Sequence, residues 1–307
     1  FDPVTDRGDA SGTLYFDATA GQYRRDLIEL GIGHDLAVPR VAEPDEIVGT
    51  TGGGIALAPG TGDNMAAALG LGLEEGTAGV SLGTSGTVFS RTPQQTHDPS
   101  GVVAGFADAT GRFLPLVCTL NGARNLAATA TLLGLSFDEM SAAALSAPPG
   151  AEGITFLPYF EGERTPPLPD ARGQLVGLSL SNYTPANLAR ATIEGVLWSL
   201  AYGLQTLQQQ ATPISRITLT GGGAQSQAVR EIARAVFGLP VASTEPFESV
   251  AVGAARQAAW ALTGTVPDWP VPYVDEQDPT TEDMAAAAEI NDRYHSTLQA
   301  HFEVELG

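Results

Sequence analysis

Two short apolar stretches of this chain each run into glycine. Residues 78–82 end at Gly83-Thr84-Ser85-Gly86, after which a second apolar stretch reaches residue 90. Residues 217–220 end at Gly221-Gly222-Gly223. Apolar runs this short, bounded by glycine, read as strands that stop in tight turns. A helical pattern over residues 226–237 follows the second turn and is stopped by Gly238 and Pro240. Strands alternating with helices give an α/β lobe. No self-similarity at a period of ~20–50 residues is present, which removes solenoids.

The remaining chain is read around those turns. Residues 1–47 are polar and loop-rich, with one helical candidate at 22–30 that Gly31 is expected to stop. An Ala-rich helix is expected from residue 64 to about 71, and its small side chains suit close packing at a junction of lobes. Residues 102–107 and 113–120 bracket Asp108-Ala109-Thr110-Gly111 as a hairpin. A helix over 121–133 ends at Gly134, and Pro148-Pro149-Gly150 reads as a surface loop.

The longest helix starts at Thr184-Pro185, an N-cap followed by proline at the first helical position. Its Ile193, Val196, Leu197, Leu200, Leu204 and Leu207 repeat at three and four residues, which puts one face in the core. Helices over 250–262 and 281–302 close the chain.

Composition sets the exclusions. The 307 residues, at ~150 per domain, predict two domains. With 43% hydrophobic and 16% charged residues the chain is globular and not a solvated, disordered one. Its net charge of −20 makes nucleic acid and anionic membranes poor partners. All fifteen basic residues are arginine, so neither a Schiff-base lysine nor a Walker A lysine exists within this chain. The single cysteine, Cys118, forms no internal disulfide and fits a reducing, cytoplasmic compartment as a small core residue. His34, His97, His295 and His301 show no metal-ligand spacing, and no metal-binding residues are expected. No apolar run approaches the ~20 residues of a membrane-spanning helix. The first residues carry neither an initiator Met nor signal-peptide character, as expected of a processed, truncated or partial chain.

Chemistry enters at the glycine turns. Such turns leave backbone N–H groups free to face phosphate oxygens, and a following helix adds its positive dipole end. Neither turn is a G-x-G-x-x-G dinucleotide fingerprint. Each alone is an ordinary turn; the pair, in a lobe without lysine, suggests a phosphate clamp of backbone groups and the Thr84 and Ser85 hydroxyls. Asp63, between Gly62 and Asn64 at the start of a small-residue helix, has two readings. It is either an N-cap worth ~1 kcal/mol or a carboxylate poised to accept a proton from an attacking hydroxyl. Gly83-Thr84-Ser85-Gly86 lacks the G-x-S-x-G spacing of a hydrolase elbow, which argues against hydrolysis.

Five stretches in order resemble the FGGY carbohydrate kinases, and among them the xylulokinases. Thr5-Asp6-Arg7-Gly8-Asp9-Ala10-Ser11-Gly12-Thr13 is similar to the end of the family's N-terminal sugar-binding lobe. Gly62-Asp63-Asn64-Met65-Ala66-Ala67 is similar to the segment with its catalytic aspartate. Ser81-Leu82-Gly83-Thr84-Ser85-Gly86 resembles the second phosphate motif of the wider actin and heat-shock ATPase superfamily. Gly173, Leu175, Gly177 and Leu178, then Asn187, Leu188, Ala191, Thr192, Ile193 and Glu194, fit the C-terminal signature. Thr220-Gly221-Gly222-Gly223-Ala224-Gln225-Ser226 resembles the adenosine motif. Phe156-Leu157-Pro158-Tyr159, Gly162-Glu163-Arg164-Thr165-Pro166 and Cys118-Thr119-Leu120-Asn121 add xylulokinase-like features. Gln225 and Val229 depart from the arginine and tryptophan usual in the adenosine motif.

The resemblance implies an actin-like ATPase, ribonuclease H-like lobe with a mixed sheet flanked by helices. It implies residues 1–75 as the last strip of the sugar-binding lobe, carrying the catalytic Asp63, and residues 76–307 as the nucleotide-binding lobe. ATP with Mg2+ would phosphorylate D-xylulose to D-xylulose 5-phosphate; ribulose, gluconate or glycerol are the alternative acceptors. Asp63 and Asn64 are the expected sugar-binding residues. Gly83, Thr84, Ser85, Gly86, Asn121, Gly222, Gly223, Ala224 and Gln227 are the expected nucleotide contacts. The resemblance supplies no first phosphate motif within this chain, so the 307 residues alone are expected to hold nucleotide without turning over sugar. Apolar and Ala-rich faces would suit a homodimer.

Overall fold

The computed structural model describes residues 3–210 and 213–302. Short elements make up its N-terminal part. Strand β1 (Val4–Thr5) leads into helix α1 (Arg7–Ser11), whose N-cap Asp6 accepts from the Gly8 and Asp9 amides. Strands β2 (Phe16–Asp17) and β3 (Gln22–Tyr23) form an antiparallel pair, and α2 (Arg25–Ile32) follows. The helix expected at 22–30 therefore starts later, because Gln22 and Tyr23 are taken by the strand pair. It also runs through Gly31 and stops at Gly33, where φ is +89°. That left-handed conformation is what ends a helix, and glycine adopts it without strain. Strand β4 (Arg40–Val41) pairs in parallel with β1, and β5 (Gly49–Thr50) pairs with β6 (Ala56–Leu57). Helix α3 (Asp63–Gly70) then begins the part of the chain that carries the site.

A seven-stranded mixed sheet is the centre of the molecule. It comprises β7 (Thr77–Leu82), β8 (Gly86–Ser90), β9 (Ala104–Ala107), β10 (Phe113–Thr119), β13 (Arg216–Thr220), β14 (Val241–Thr244) and β15 (Tyr273–Gln277), in the order 15-14-13-7-8-10-9. A separate antiparallel pair joins β11 (Thr155–Leu157) to β12 (Gln174–Val176). Strands β7, β13 and β14 run parallel, Thr77 to Ser81 pairing with Arg216 to Thr220. The expected hairpin around Asp108 is present as β9 and β10, with Phe113 opposite Ala107.

Six helices belong to this part besides α3: α4 (Ala123–Leu133), α5 (Phe137–Ser146), α6 (Pro185–Gln210), α7 (Gln227–Phe237), α8 (Ser249–Thr263) and α9 (Thr281–Phe302). The apolar stripe expected on α6 is buried throughout, and so is much of its opposite face: Asn187, Arg190, Thr192, Glu194 and Ser199 are all inside. The reason is position. Helix α6 crosses strands β8 and β10 and is flanked by α4, α5, α7 and α9. Its charged pair is satisfied internally: Arg190 Nε donates to Glu194 Oε1 at 2.6 Å, and the Gly150 amide donates to the same oxygen at 2.9 Å. The Pro148-Pro149-Gly150 segment is thus a surface loop only at its prolines, since Gly150 is drawn inside.

Small residues fix α3. An added Cβ on Gly70 would meet the Ser249 carbonyl oxygen, and one on Gly253 would meet that of Ala66. Helices α3 and α8 therefore touch backbone to backbone, an approach that any larger side chain at these positions would block. Among the described residues no helix is long and apolar enough to cross a membrane.

Candidate active site

Three parallel strands finish at one sheet edge, where α/β folds place ligands. Strand β7 ends at the turn Gly83-Thr84-Ser85, β13 at Gly221 and β14 at Thr244. The first two turns pack on each other. Gly221 has φ +87°, and an added Cβ there would stand 2.8 Å from the Leu82 carbonyl oxygen. Only glycine satisfies both the backbone angle and the close approach.

Asp63 opens α3 beside this edge. The N-cap is Gly62 and makes no side-chain capping bond, so the reading of Asp63 as the cap is replaced. Its carboxylate is exposed, and Oδ1 accepts from the Asn64 backbone N–H at 2.7 Å and from Asn64 Nδ2 at 2.9 Å. Asn64 Oδ1 in turn accepts from the Thr87 hydroxyl at 3.4 Å, which ties the start of α3 to β8. A cleft of about 410 Å³ lies here, lined by Asp63, Asn64, Phe89, Thr220, Gly222 and Ser249 among others. Among the described residues no protein group holds the other oxygen of the Asp63 carboxylate, which leaves it available as a proton acceptor.

A second, more apolar cavity of about 790 Å³ opens on the other side of the turns. Leu126 and Ala127 of α4, Phe137 and Met140 of α5 and Ile193 of α6 form its walls. Gly222 and Gln225 line both spaces, so the 222–225 turn stands between them. Gln225 is held there by Nε2 donating to the Thr244 carbonyl at 3.3 Å. Arg230 of α7 secures the turn from behind by donating to the carbonyls of Ala224 and Gln225.

Of the nucleotide contacts expected from the sequence, Gly83, Thr84, Gly222 and Gly223 line the apolar cavity. Ser85 is exposed on the turn but lines neither space. Gly86 is buried against Leu200 and Thr119. Ala224 is buried, and Gln227 points outward, donating to Glu231 on the surface of α7. Asn121 is fully buried behind the turn: its Nδ2 donates to the Gly162 carbonyl and to Glu163 Oε2, so its amide is spent inside the protein. The 244–249 segment and the walls from α4 and α5 carry no glycine signal. That β14 follows a parallel strand and precedes a helix was the available clue to the former, because ligands gather at the carboxyl ends of such strands.

Cys118 lies on β10 opposite Thr87 and is half-buried. Burial pushes its thiol up, Arg164 draws it down, and Asp63 and Glu163 raise it further. It behaves as a packed thiol and not as a nucleophile. Among the described residues no group of three or more His, Cys, Asp or Glu side chains is placed to hold a metal ion.

Residues 78–262 match the model of the FGGY family of carbohydrate kinases, C-terminal domain. The chain belongs to the FGGY carbohydrate kinases. Among its relatives, the xylulose kinase of Streptomyces rubiginosus is 43% identical over 274 residues, covering 86% of this chain and 55% of that protein. The xylulose kinase of Haemophilus influenzae is 36% identical, covering 84% and 55%. The crystal structure of xylulose kinase from Bifidobacterium adolescentis superimposes with a TM-score of 0.80 at 41% identity, covering 93% of this chain and 62% of that one. A kinase structure from Brucella ovis, titled as a xyloylose kinase, gives 0.90 at 27%, covering 97% and 65%. This FGGY chain spans about half the length of the curated relatives it matches. Its α/β fold, a mixed sheet flanked by helices, is the actin-like ATPase fold of those kinases.

Proposed function

We propose that this chain provides the nucleotide site and the catalytic aspartate of an ATP-dependent kinase for D-xylulose. The observation that carries the reading is the 222–225 turn shared by two spaces of different character. A ligand with a flat, apolar ring at one end and charged groups at the other fits this arrangement, the ring among Leu126, Phe137 and Met140 and the phosphates toward Asp63. Residues 76–307 would then be the nucleotide-binding lobe and residues 1–75 the strip that brings Asp63 to it. The relatives named xylulose kinase favour D-xylulose as the acceptor, and ATP points to the cytoplasm.

In that reaction Asp63 holds the sugar's terminal hydroxyl and takes its proton as the oxygen bonds to the γ-phosphorus. The bond to the ADP oxygen breaks, giving ADP and D-xylulose 5-phosphate. Phosphoryl transfer is loose, so positioning and neutralisation of charge do most of the work. The described residues form no cage for Mg2+. A magnesium ion would travel with the phosphates, held by their oxygens and water.

Release of ADP, followed with ATP and D-xylulose, D-ribulose, gluconate and glycerol in turn, tests the reading. The complete protein, at the length of its relatives, is expected to prefer D-xylulose, and the 307-residue chain alone to bind ATP without turnover. A stronger preference for another acceptor overturns the sugar, and no ADP release with any acceptor overturns the kinase.

A further inference from the structure

This chain contains no lysine, so its fixed positive charge rests on fifteen arginines. Fourteen of their guanidinium groups are engaged. Some pair with carboxylates, such as Arg112 with Glu75, Arg124 with Glu161 and Arg190 with Glu194. Others donate to backbone carbonyls, such as Arg172 to Ala171, Arg230 to Gln225, Arg256 to Leu69 and Arg293 to Gly150. Arg7, Arg24, Arg25, Arg40, Arg91, Arg216 and Arg234 are likewise bonded. Among the described residues Arg164 is the exception: its side chain is exposed and makes neither a hydrogen bond nor an ion pair.

The backbone of Arg164 is held firmly while its side chain is left free. Its N–H donates to Glu163 Oε1 at 2.7 Å. The Glu163 carboxylate, 2% exposed, also accepts from the Leu120 N–H and from Asn121 Nδ2. These bonds clamp residues 163–164 to the end of β10. The chain from there leans on the first glycine turn, since the Ala123 N–H donates to the Gly83 carbonyl at 2.8 Å and Gly122 closes on Ser85. On β10 itself, Cys118 sits opposite Thr87, whose hydroxyl reaches Asn64 beside Asp63. The charges of Arg164 and Asp63 both act on that thiol, in opposite directions. Arg164 is therefore anchored at the end of β10, beside the first glycine turn and one strand from the Thr87–Asn64 contact that adjoins Asp63.

The cleft needs such a group. Its lining includes Asp63 and Glu248 and no arginine, so a phosphoryl group entering it meets two carboxylates, and Arg164, which lines neither space, would have to reach it from beside the turn. We propose that Arg164 is a catalytic residue, the cation that contacts the terminal phosphoryl group of ATP at the Asp63 cleft. This rests on the kinase reading above and names a further residue for it. A guanidinium presents its donors in a planar fork that matches two phosphate oxygens. Charge that spreads over the equatorial oxygens during transfer is stabilised by a donor already in place. An arginine without an internal partner has no ion pair to break before it serves.

The test is calorimetric titration of ATP and of adenosine into the full chain, as wild type, Arg164→Gln and Arg164→Lys. Arg164→Gln is expected to weaken ATP binding by ~10- to 100-fold, the range for a lost charge-assisted hydrogen bond, and to leave adenosine binding unchanged. Arg164→Lys is expected to recover part of the ATP affinity, as a point charge without the fork. Because the side chain is exposed, the thermal midpoint should stay at the wild-type value. Equal ATP affinity in wild type and Arg164→Gln overturns the assignment and leaves the kinase reading standing. Equal losses for ATP and adenosine mark a structural role and also overturn it. A wild-type chain that binds no ATP overturns both.

Discussion

The carbonyl oxygen of Ala66 lies where a side chain on Gly253 would have to begin. Helices α3 and α8 meet at that point without any side chain between them, and the meeting sets where Asp63 stands. Gly253→Ala must push the two backbones apart. We expect a loss of at least about 1–3 kcal/mol, the usual cost of overpacking, read as a lower denaturant midpoint. Retention of wild-type stability would show that α3 is held by something other than this contact.

Gly222 offers the opposite case. Nothing lies within 4 Å of a Cβ added there, and the residue lines both cavities. Gly222→Ala is expected to leave the thermal midpoint in place while lowering ATP affinity by about 10-fold, because the methyl group intrudes on the ligand and not on the fold. Titration of the variant beside wild type reads both effects, and unchanged affinity would remove the turn from the nucleotide path.

For Asp63, the exposed carboxylate beside the glycine turns gives a kinetic expectation. Asp63→Asn keeps the shape and removes the proton acceptor. In the complete enzyme kcat is expected to fall by ~10²–10⁴ with nucleotide binding intact. Near-normal turnover would take Asp63 out of the reaction.

Inside the protein, Glu194 compensates the charge of Arg190 and also accepts from the Gly150 amide. Glu194→Ala leaves a buried guanidinium and a buried N–H without their acceptor. The expected cost is about 3–5 kcal/mol, measured by chemical denaturation. Replacing both partners by apolar residues should cost less than removing Glu194 alone.

His295 makes stability depend on pH near neutrality. Burial among Tyr202 and Tyr294 lowers its pKa below 6.5, against a smaller opposing pull from Asp292. As pH falls through 6.5 the unfolded chain takes up the proton before the folded one does. Stability therefore drops on acidification through that window, levels off below the folded pKa, and is flat above 6.5. Denaturation at about pH 7.5 and about pH 5 should show the drop in wild type and a smaller one in His295→Gln. Equal drops would assign the effect elsewhere.

The parts of the fold written in local pattern were legible beforehand. Residues 281–302 form the helix that their composition predicts, and Gly134 and Gly238 stop α4 and α7 as expected. The glycine turns were visible because tight backbone geometry leaves a mark in residue type. Asp63 was not decidable from spacing, since a cap and a base look alike in sequence; the family resemblance tipped the balance, and the position of Gly62 as the cap excludes the first reading. Asn121, expected as a nucleotide contact, shows the same limit of reading from neighbours in the chain. It adjoins Gly122, which packs on the first glycine turn, and its amide faces Glu163 in space. Phe137, Met140 and Ser249 line the two cavities through long-range packing, which no window of neighbouring residues records. Arg164 lies within the Gly162–Pro166 stretch, and only the bonding of its neighbours in three dimensions sets it apart.

Gly83 and Gly222 are far apart in the chain and become neighbours only through the pairing of β7 with β13. Pairings between distant segments are slow to form, because the loop between them must close before any contact repays its entropy. The edge that carries both turns is therefore absent from every partly folded form in which these strands are apart. A nucleotide that spans both turns selects the finished chain over those forms and draws the refolding equilibrium toward it as its concentration rises. Recovery of ATP binding during refolding would time the docking of β13 on β7, and would lag behind signals from helices such as α9 that need only their own residues to form.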